Sequence, residues 1–331
     1  MNRGKVGIGV IGCGFVGGKA HVPSVYYTPQ ARLVAISDTM AERAEKLAHR
    51  YSTKYYTDYT ALLKEEEIQG VIVSVPTPFH FKIASDVIEA GKHILLEMPL
   101  APTVREVRNL KKAADKKGVF IMPSLNFRFT PPYVKAKELI DCGEIGNIAA
   151  ICYREFIPTR DLAQQWPASS WAWDKRASGG FPDFTLSVWS IDLVRWLVGS
   201  EVKDVKWMPQ YIPVKEYGIN AYNTVGLLSF RNDVTAVLQL SSLTTHAGSG
   251  SRLEVFGQRT FSLSAEGFDK LTLFKEEPDK QEWIFKEGGP KVWGHQQMDE
   301  HFVTCVAENK KPVISVGDAI KAIDIAKKIV E

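Results

Sequence analysis

Lys5-Val6-Gly7-Ile8-Gly9-Val10-Ile11-Gly12-Cys13-Gly14-Phe15-Val16-Gly17 decides how the first part of this chain folds. The apolar run from Lys5 to Ile11 predicts a buried strand, and Gly12 to Gly17 is a Gly-x-Gly-x-x-Gly turn opening a helix. The first glycine permits the tight turn, the second lets a pyrophosphate approach the backbone, and the third lets helix and strand pack closely. Free N–H groups and the positive end of the helix dipole then favour an anion. Glycine-rich turns are common, so the motif alone is a weak signal. Arg32 to Ser37 reads as a second strand, however, and Asp38 stands at its end, 21 residues after Gly17. That is where a carboxylate takes the hydroxyls of an adenosine ribose. Together the two signals predict a dinucleotide site on Gly12, Cys13, Gly14, Phe15, Val16 and Asp38. The Asp38 charge would repel a 2′-phosphate, and Arg43 is a turn further on. NAD is therefore the expected cofactor and NADP the second choice.

Working outward, strand and helix alternate through the first 125 residues. Ala41 to Tyr51 has helical spacing, and Val71 to Val75 is a strand stopped by Pro76 and Pro78. A helix over Phe79 to Ala90 ends at Gly91, His93 to Leu96 is a strand, Thr103 to Lys117 a helix, and Val119 to Met122 a strand. This alternation predicts a parallel, doubly wound sheet. After about residue 147 the texture changes. Strand candidates follow one another at Ile148–Phe156, Val202–Ile212, Val225–Phe230, Val234–Ser241, Arg252–Phe256, Phe261–Ser264 and Lys270–Phe274, as in an antiparallel sheet. One helix, Phe184 to Val198, interrupts them, and helices over Gln296–Glu308 and Val316–Val330 finish the chain. The expected fold class is α/β: a Rossmann domain over 1–125 and an α+β domain over 126–331, with a large, open, mainly antiparallel sheet. The last helix is expected to pack back on the first domain.

Composition narrows the function classes. The chain has 331 residues, 45% hydrophobic and 24% charged, which excludes a disordered chain, a collagen-like repeat and a coiled coil. The net charge of +3 is spread without a basic block, so no nucleic-acid or anionic-membrane partner is expected. No apolar run approaches the ~18–20 residues that span a bilayer. Met1 to Lys5 before an apolar stretch imitates a secretory signal, but the glycines at 12, 14 and 17 explain that stretch better. The cysteines at 13, 142, 152 and 305 are scattered without CxxC spacing, which points to a reducing compartment, the cytoplasm. His246, His295 and His301 share no metal spacing, and no metal site is expected.

Several stretches resemble the Gfo/Idh/MocA family of sugar dehydrogenases: the glycine motif, Val73-Ser74-Val75-Pro76-Thr77-Pro78-Phe79-His80 and Gly91-Lys92-His93-Ile94-Leu95-Leu96-Glu97-Met98-Pro99-Leu100. Asn126-Phe127-Arg128-Phe129 and Ile191-Asp192-Leu193-Val194-Arg195-Trp196-Leu197 extend the resemblance over essentially the whole chain. The resemblance implies that Ser74, Val75, Pro76, Thr77 and His80 lie along the cofactor. It also implies that Glu97, Met98 and Asn126 lie near its nicotinamide end. A helix-start histidine in contact with solvent is the plainer reading of His80.

The residues that would move the proton are missing. The family's strand-end motif is Glu-Lys-Pro, and its lysine helps take the proton from the substrate hydroxyl. Here Met98 stands instead, and a thioether cannot hold a proton near neutral pH. The family's second signature is Asp, His four later and Asp three after that, on one helix face. Anchored on Asp192, the equivalent positions are Thr185, Trp189 and Asp192. Local drift explains one such loss; three at one site point to altered chemistry. Substitute acid–base candidates are Asp183, which is also a natural helix N-cap, and Lys175, which also reads as a solvated loop lysine. Trp166, Trp171 and Trp173 offer either rings that stack on a sugar or packing for a core. The expected substrate pocket comprises Met98, Trp171, Asp183, Thr185 and Trp189.

Two functions stand open. One is an NAD(P)-dependent oxidoreductase of a sugar, cyclitol or sugar derivative with a non-standard proton route. The other is a catalytically silent relative that binds NAD(P) and a sugar-like ligand as a sensor or partner subunit. An NAD-dependent glycosidase or lyase is disfavoured, because it too needs a base. Alternation of Val234, Ala236, Leu238 and Leu240 against Thr235, Val237 and Gln239 leaves a mixed outer sheet face, and a homodimer or homotetramer is expected through it.

Overall fold

The computed structural model describes residues 4–276, 279–285 and 293–329. Met1 to Arg3 of the signal-like segment and Val330 of the last helix lie outside them. Contacts group the chain into two units: Met1–Asn126 with Pro290–Lys321, and Phe127–Gly289 with Ala322–Glu331.

The first unit is built on six strands: β1 (Val6–Ile11), β2 (Ala31–Ser37), β3 (Lys54–Tyr56), β4 (Gly70–Val73), β5 (His93–Leu96) and β6 (Ile121–Pro123). Their order is β3-β2-β1-β4-β5-β6 and every pairing is parallel. The order reverses at β1/β4, the switch point where doubly wound sheets bind their ligands. Ile8, Val10, Ile72, Val73, Leu95 and Leu96 are fully buried, as parallel strands covered on both faces require. Helices α1 (Val22–Tyr27), α2 (Ala41–Tyr51), α3 (Tyr59–Leu63), α4 (His80–Glu89) and α5 (Val104–Lys117) follow their strands. β3 escapes the sequence reading because a three-residue polar edge strand has no hydrophobic period to betray it.

In the second unit α6 (Pro131–Asp141), α7 (Thr159–Gln165), α8 (Lys175–Ser178) and α9 (Asp183–Val198) accompany eight strands. These are β7 (Ile148–Phe156), β8 (Val202–Val214), β9 (Ile219–Phe230), β10 (Thr235–Ser241), β11 (Gly250–Gly257), β12 (Ser262–Glu266), β13 (Lys270–Phe274) and β14 (Lys280–Ile284). Their order is β14-β13-β12-β11-β7-β10-β9-β8, antiparallel throughout except for β7 beside β10. The expectation of a single interrupting helix was too spare. Pro131 and Pro132 occupy the first turn of α6, where a missing N–H costs nothing. α6 and α9 pack on one face of the sheet. Ala236, Leu238 and Leu240 point to that face and are buried, whereas Val237 and its register partner Leu227 remain exposed on the other.

Two further helices, α10 (His295–Glu308) and α11 (Val316–Lys327), close the described chain. α10 packs against β1, β5 and α1 of the first unit.

α5 begins with a reciprocal cap: Thr103 Oγ1 accepts from the Glu106 N–H and Glu106 accepts from the Thr103 N–H. Losing it costs about 1 kcal/mol. Thr103→Ala is expected to lower the melting temperature by about 2–4 °C without altering the far-ultraviolet circular dichroism of the folded protein.

Candidate functional site

The glycine turn leaves β1 at Gly12, whose φ of +98° lies in the left-handed region. A Cβ there would fall 2.1 Å from the Ser74 carbonyl oxygen, and one on Gly17 would fall 1.9 Å from the Gly12 oxygen. Both glycines are therefore dictated by the protein's own packing. Gly14 differs: a Cβ on it would meet nothing within 4 Å. The middle of the turn faces open space, as a cradle for a pyrophosphate must, so the residues present fit a dinucleotide. Asp38 accepts from the Cys13 N–H at 2.8 Å through one oxygen and from the Met40 N–H at 2.8 Å through the other. It thus fixes the turn while lying at its rim. Burial, and then the Asp38 charge, push the Cys13 thiol up to about 12, so it stays protonated.

The backbone coils from Phe15 through a wider π-type turn, Gly17–His21, into α1. This turn brings His21 inward, where its Nδ1–H donates to Asp299 on α10 at 3.0 Å and its Nε2–H to Glu97 at 2.9 Å. Burial opposes charge on His21, but the two carboxylates outweigh it and push the imidazole up to about 10. Burial works against Glu97 as well, yet the hydrogen bond from His21 and the His295 ring 3.8 Å away hold it well below the usual carboxylate range. Asp299 is raised, because burial outweighs its gain from His21. Glu97 also accepts from Ser124 Oγ at 2.5 Å and from the Met98 N–H at 3.2 Å. Donor atoms of His21, Glu97 and His295 lie within 4.8 Å of one another. Linear spacing hid this cluster, since its members are dozens to hundreds of residues apart; the one signal was a histidine in an otherwise apolar helix start.

The remaining expected cofactor residues of this unit fall nearby. Ser74, Val75 and Pro76 form the loop after β4 and are partly exposed, while Thr77 is buried. His80 is buried, against the plainer reading of a solvent-facing ring, with its nitrogens 2.7 Å from the Val75 and Pro99 carbonyl oxygens. Its side chain ties the loop after β4 to the loop after β5. Met98 is buried. The Asn126 amide donates to the Trp293 carbonyl at 2.6 Å, and the Trp293 ring stacks on Phe15 of the glycine turn.

In the second unit Asp183 is the first residue of α9, not its cap, which is Pro182. It is 1% exposed, and its carboxyl accepts from Thr224 and Tyr211 on the sheet. Burial raises its pKa despite those bonds. Lys175 is exposed at the start of α8. Asp192 is held by Arg128 through two bonds of 2.7 and 2.5 Å, which makes it a packing partner. Thr185 has a buried hydroxyl with no hydrogen-bond partner among the described residues. Trp166 and Trp173 pack on Phe181 at 4.7 and 4.9 Å, and Trp173 Nε1–H donates to the Trp166 carbonyl; Trp171 is exposed.

Sequence reasoning missed Glu155. On β7 it follows Ile151 and Tyr153 on the face that should be apolar, and that alternation was the available signal. Burial raises its carboxyl to about 7, with hydrogen bonds from Tyr153 and Ser190 only partly offsetting the effect.

The charge balance of the first unit is open to test. A raised histidine stabilises the fold fully below its unfolded value, near 6.5, and that contribution is lost as pH climbs through about 10. His21→Gln leaves two buried carboxylates without their cation, a change worth about 3–5 kcal/mol. The variant should melt well below wild type at pH 8 and recover part of the difference at pH 5, as a carboxyl takes up a proton. A pH-independent deficit in differential scanning calorimetry would contradict the charge assignment.

Comparison with known proteins places the chain. Residues 6–125 match the family described as "Oxidoreductase family, NAD-binding Rossmann fold", and residues 133–260 match the "GFO/IDH/MocA C-terminal domain". The uncharacterized oxidoreductase YrbE of Bacillus subtilis is 32% identical over 96% of this chain and 92% of its own length. The scyllo-inositol 2-dehydrogenase (NAD(+)) of the same organism is 28% identical, over 95% and 90%. The solved complex of levoglucosan dehydrogenase with NADH and levoglucosan superposes with a TM-score of 0.84 at 21% identity, covering 98% of this chain and 96% of that one, and shows the shared fold. The chain belongs to the Gfo/Idh/MocA family of oxidoreductases, and its first unit is their NAD-binding Rossmann domain.

Proposed function

We propose that this chain oxidises a secondary hydroxyl of a sugar, cyclitol or sugar derivative, using NAD and a proton acceptor other than residue 98. The observation that carries this reading is the open middle of the glycine turn, rimmed by Asp38. Gly12, Cys13, Gly14, Phe15 and Val16 take the pyrophosphate and Asp38 the adenosine ribose. Ser74, Val75, Pro76 and Thr77 line the cofactor, with Glu97, Met98 and Asn126 at the nicotinamide end. NAD+ supplies the hydride acceptor. The names of relatives, among them a scyllo-inositol 2-dehydrogenase and a levoglucosan dehydrogenase, support a polyhydroxylated substrate. The second unit supplies its recognition, with Trp171, Thr185 and Trp189 as the groups to test.

A silent NAD- and sugar-binding relative is the second reading, favoured by the thioether at Met98. Titration calorimetry should show NAD(H) bound in preference to NADP(H), and a panel of sugars, cyclitols and sugar acids should include one that yields NADH. Preference for NADP(H) overturns the role of Asp38. Tight NAD binding without turnover of any panel member selects the silent reading.

The same unit supports self-association. Val237 and Leu227 lie side by side in register and exposed, with Met208 also exposed on the adjoining β8. A second copy laid on this face buries them. Light scattering at micromolar concentration should give a dimer or tetramer, and Val237→Lys with Leu227→Lys should shift it towards monomer.

A further inference from the structure

Spacing along the chain gives no metal site, but the fold of the first unit gathers His21, Glu97 and His295, all buried, with a donor atom of each within 4.8 Å of the others. His21 Nε2 is 2.9 Å from Glu97 Oε1, and His295 Nε2 is 3.8 Å from the same oxygen. The two rings stand at 77° with their centroids 5.2 Å apart, so they do not stack, and their nitrogens converge on the carboxylate. Donors about 2.0–2.2 Å from a tetrahedral zinc ion lie about 3.3 Å from one another. The spacings here straddle that value, and side-chain shifts of about 1 Å bring all three donors to it.

The groups around these three are those that hold metal ligands in place. Asp299 lies 3.0 Å from His21 Nδ1, so it takes the Nδ1–H and turns Nε2 towards Glu97. A carboxylate behind a ligating histidine fixes the ring and its tautomer in this way and raises its basicity. His295 and Asp299 are four residues apart on one face of α10, which thus delivers one ligand and the group that orients another. Glu97 is itself held by Ser124 Oγ at 2.5 Å and by the Met98 N–H at 3.2 Å. Among the described residues no Lys or Arg pairs with Glu97 or Asp299. One dication balances both carboxylates and leaves both imidazoles neutral.

We propose that His21, Glu97 and His295 bind a divalent transition-metal ion of the zinc class. Two imidazoles and a carboxylate are a set that zinc takes with water in the remaining position, whereas magnesium and calcium prefer oxygen donors throughout. The ion displaces the proton that His21 Nε2–H offers to Glu97. Bound there, it ties together the π-type turn after the glycine motif, the end of β5 and the start of α10. The site is independent of the dehydrogenase reading above, and its role is to hold these three segments.

Zinc chloride titrated into chelator-stripped protein is the probe, with calorimetry giving the stoichiometry and elemental analysis after dialysis the metal retained. One zinc per chain is expected, and the melting temperature should rise with zinc concentration. Glu97→Gln and His295→Gln should each weaken binding by more than about 100-fold, and Asp299→Asn, which acts through His21, by about 10–100-fold. His246→Gln, at an exposed histidine of the second unit, should change nothing. Cobalt(II) should give the intense visible absorption of a four-coordinate ion, and zinc should displace it. If the Gln variants do not fold, the cobalt spectrum of wild type decides: the weak absorption of a six-coordinate ion overturns the proposal. Absence of uptake at millimolar zinc overturns it too. So does uptake that Glu97→Gln and His295→Gln leave within ~10-fold of wild type, which would place the ion on surface histidines. Every readout is a binding measurement, so failure here leaves the dehydrogenase reading where the NADH panel puts it.

Discussion

His21 sits without solvent contact between two carboxylates, and the first unit is organised around that arrangement. Its partners come from the end of β5 and from α10, so one imidazolium joins residues 21, 97 and 299. An unpaired charge in such a place would be prohibitive, and only a complete set of hydrogen bonds makes the cluster tolerable. Each member therefore dictates the others. The wider turn after the glycine motif delivers His21, α10 must pack on β1 and β5 to deliver Asp299, and Glu97 must turn inward from its strand end. Once inward, Glu97 accepts from the backbone N–H of Met98 and fixes the course of the chain there.

The support beneath position 98 is complete, with Ser124 and His21 bonded to Glu97 and the His295 ring 3.8 Å from it. The residue it positions is chemically inert. His21 changes its charge near pH 10, too high to follow a reaction at neutral pH, and Glu97 stays ionised throughout the physiological range. Support of this kind holds the backbone at the end of β5, and neither charged partner changes its state near neutral pH.

The course of the fold was readable because its signals are local. Apolar runs stopped by Pro76, Pro78 and Gly91 mark β4 and α4, and the helical spacing from Thr103 to Lys117 marks α5. The glycine motif and Asp38 were readable for the same reason, a spacing set within one βαβ unit. Where the reading fell short, the determinants are tertiary. α6 begins at two prolines that serve as a first turn, and α7 and α8 are too short to propagate on their own and take their shape from packing. Asp183 has the sequence of a cap, but its carboxyl is drawn to Thr224 and Tyr211 across the sheet. His21, Glu97 and Asp299 meet only after three distant segments fold together, which no pattern along the chain records.

Glu155 is a position at which the second unit gives up stability. A carboxyl whose folded value is raised weakens the fold at every pH where the unfolded chain would be ionised and the folded one resists it. The penalty begins near the ordinary glutamate value and is complete above about 7. An apolar residue at this inward position would remove it, and glutamine would keep the bonds to Tyr153 and Ser190.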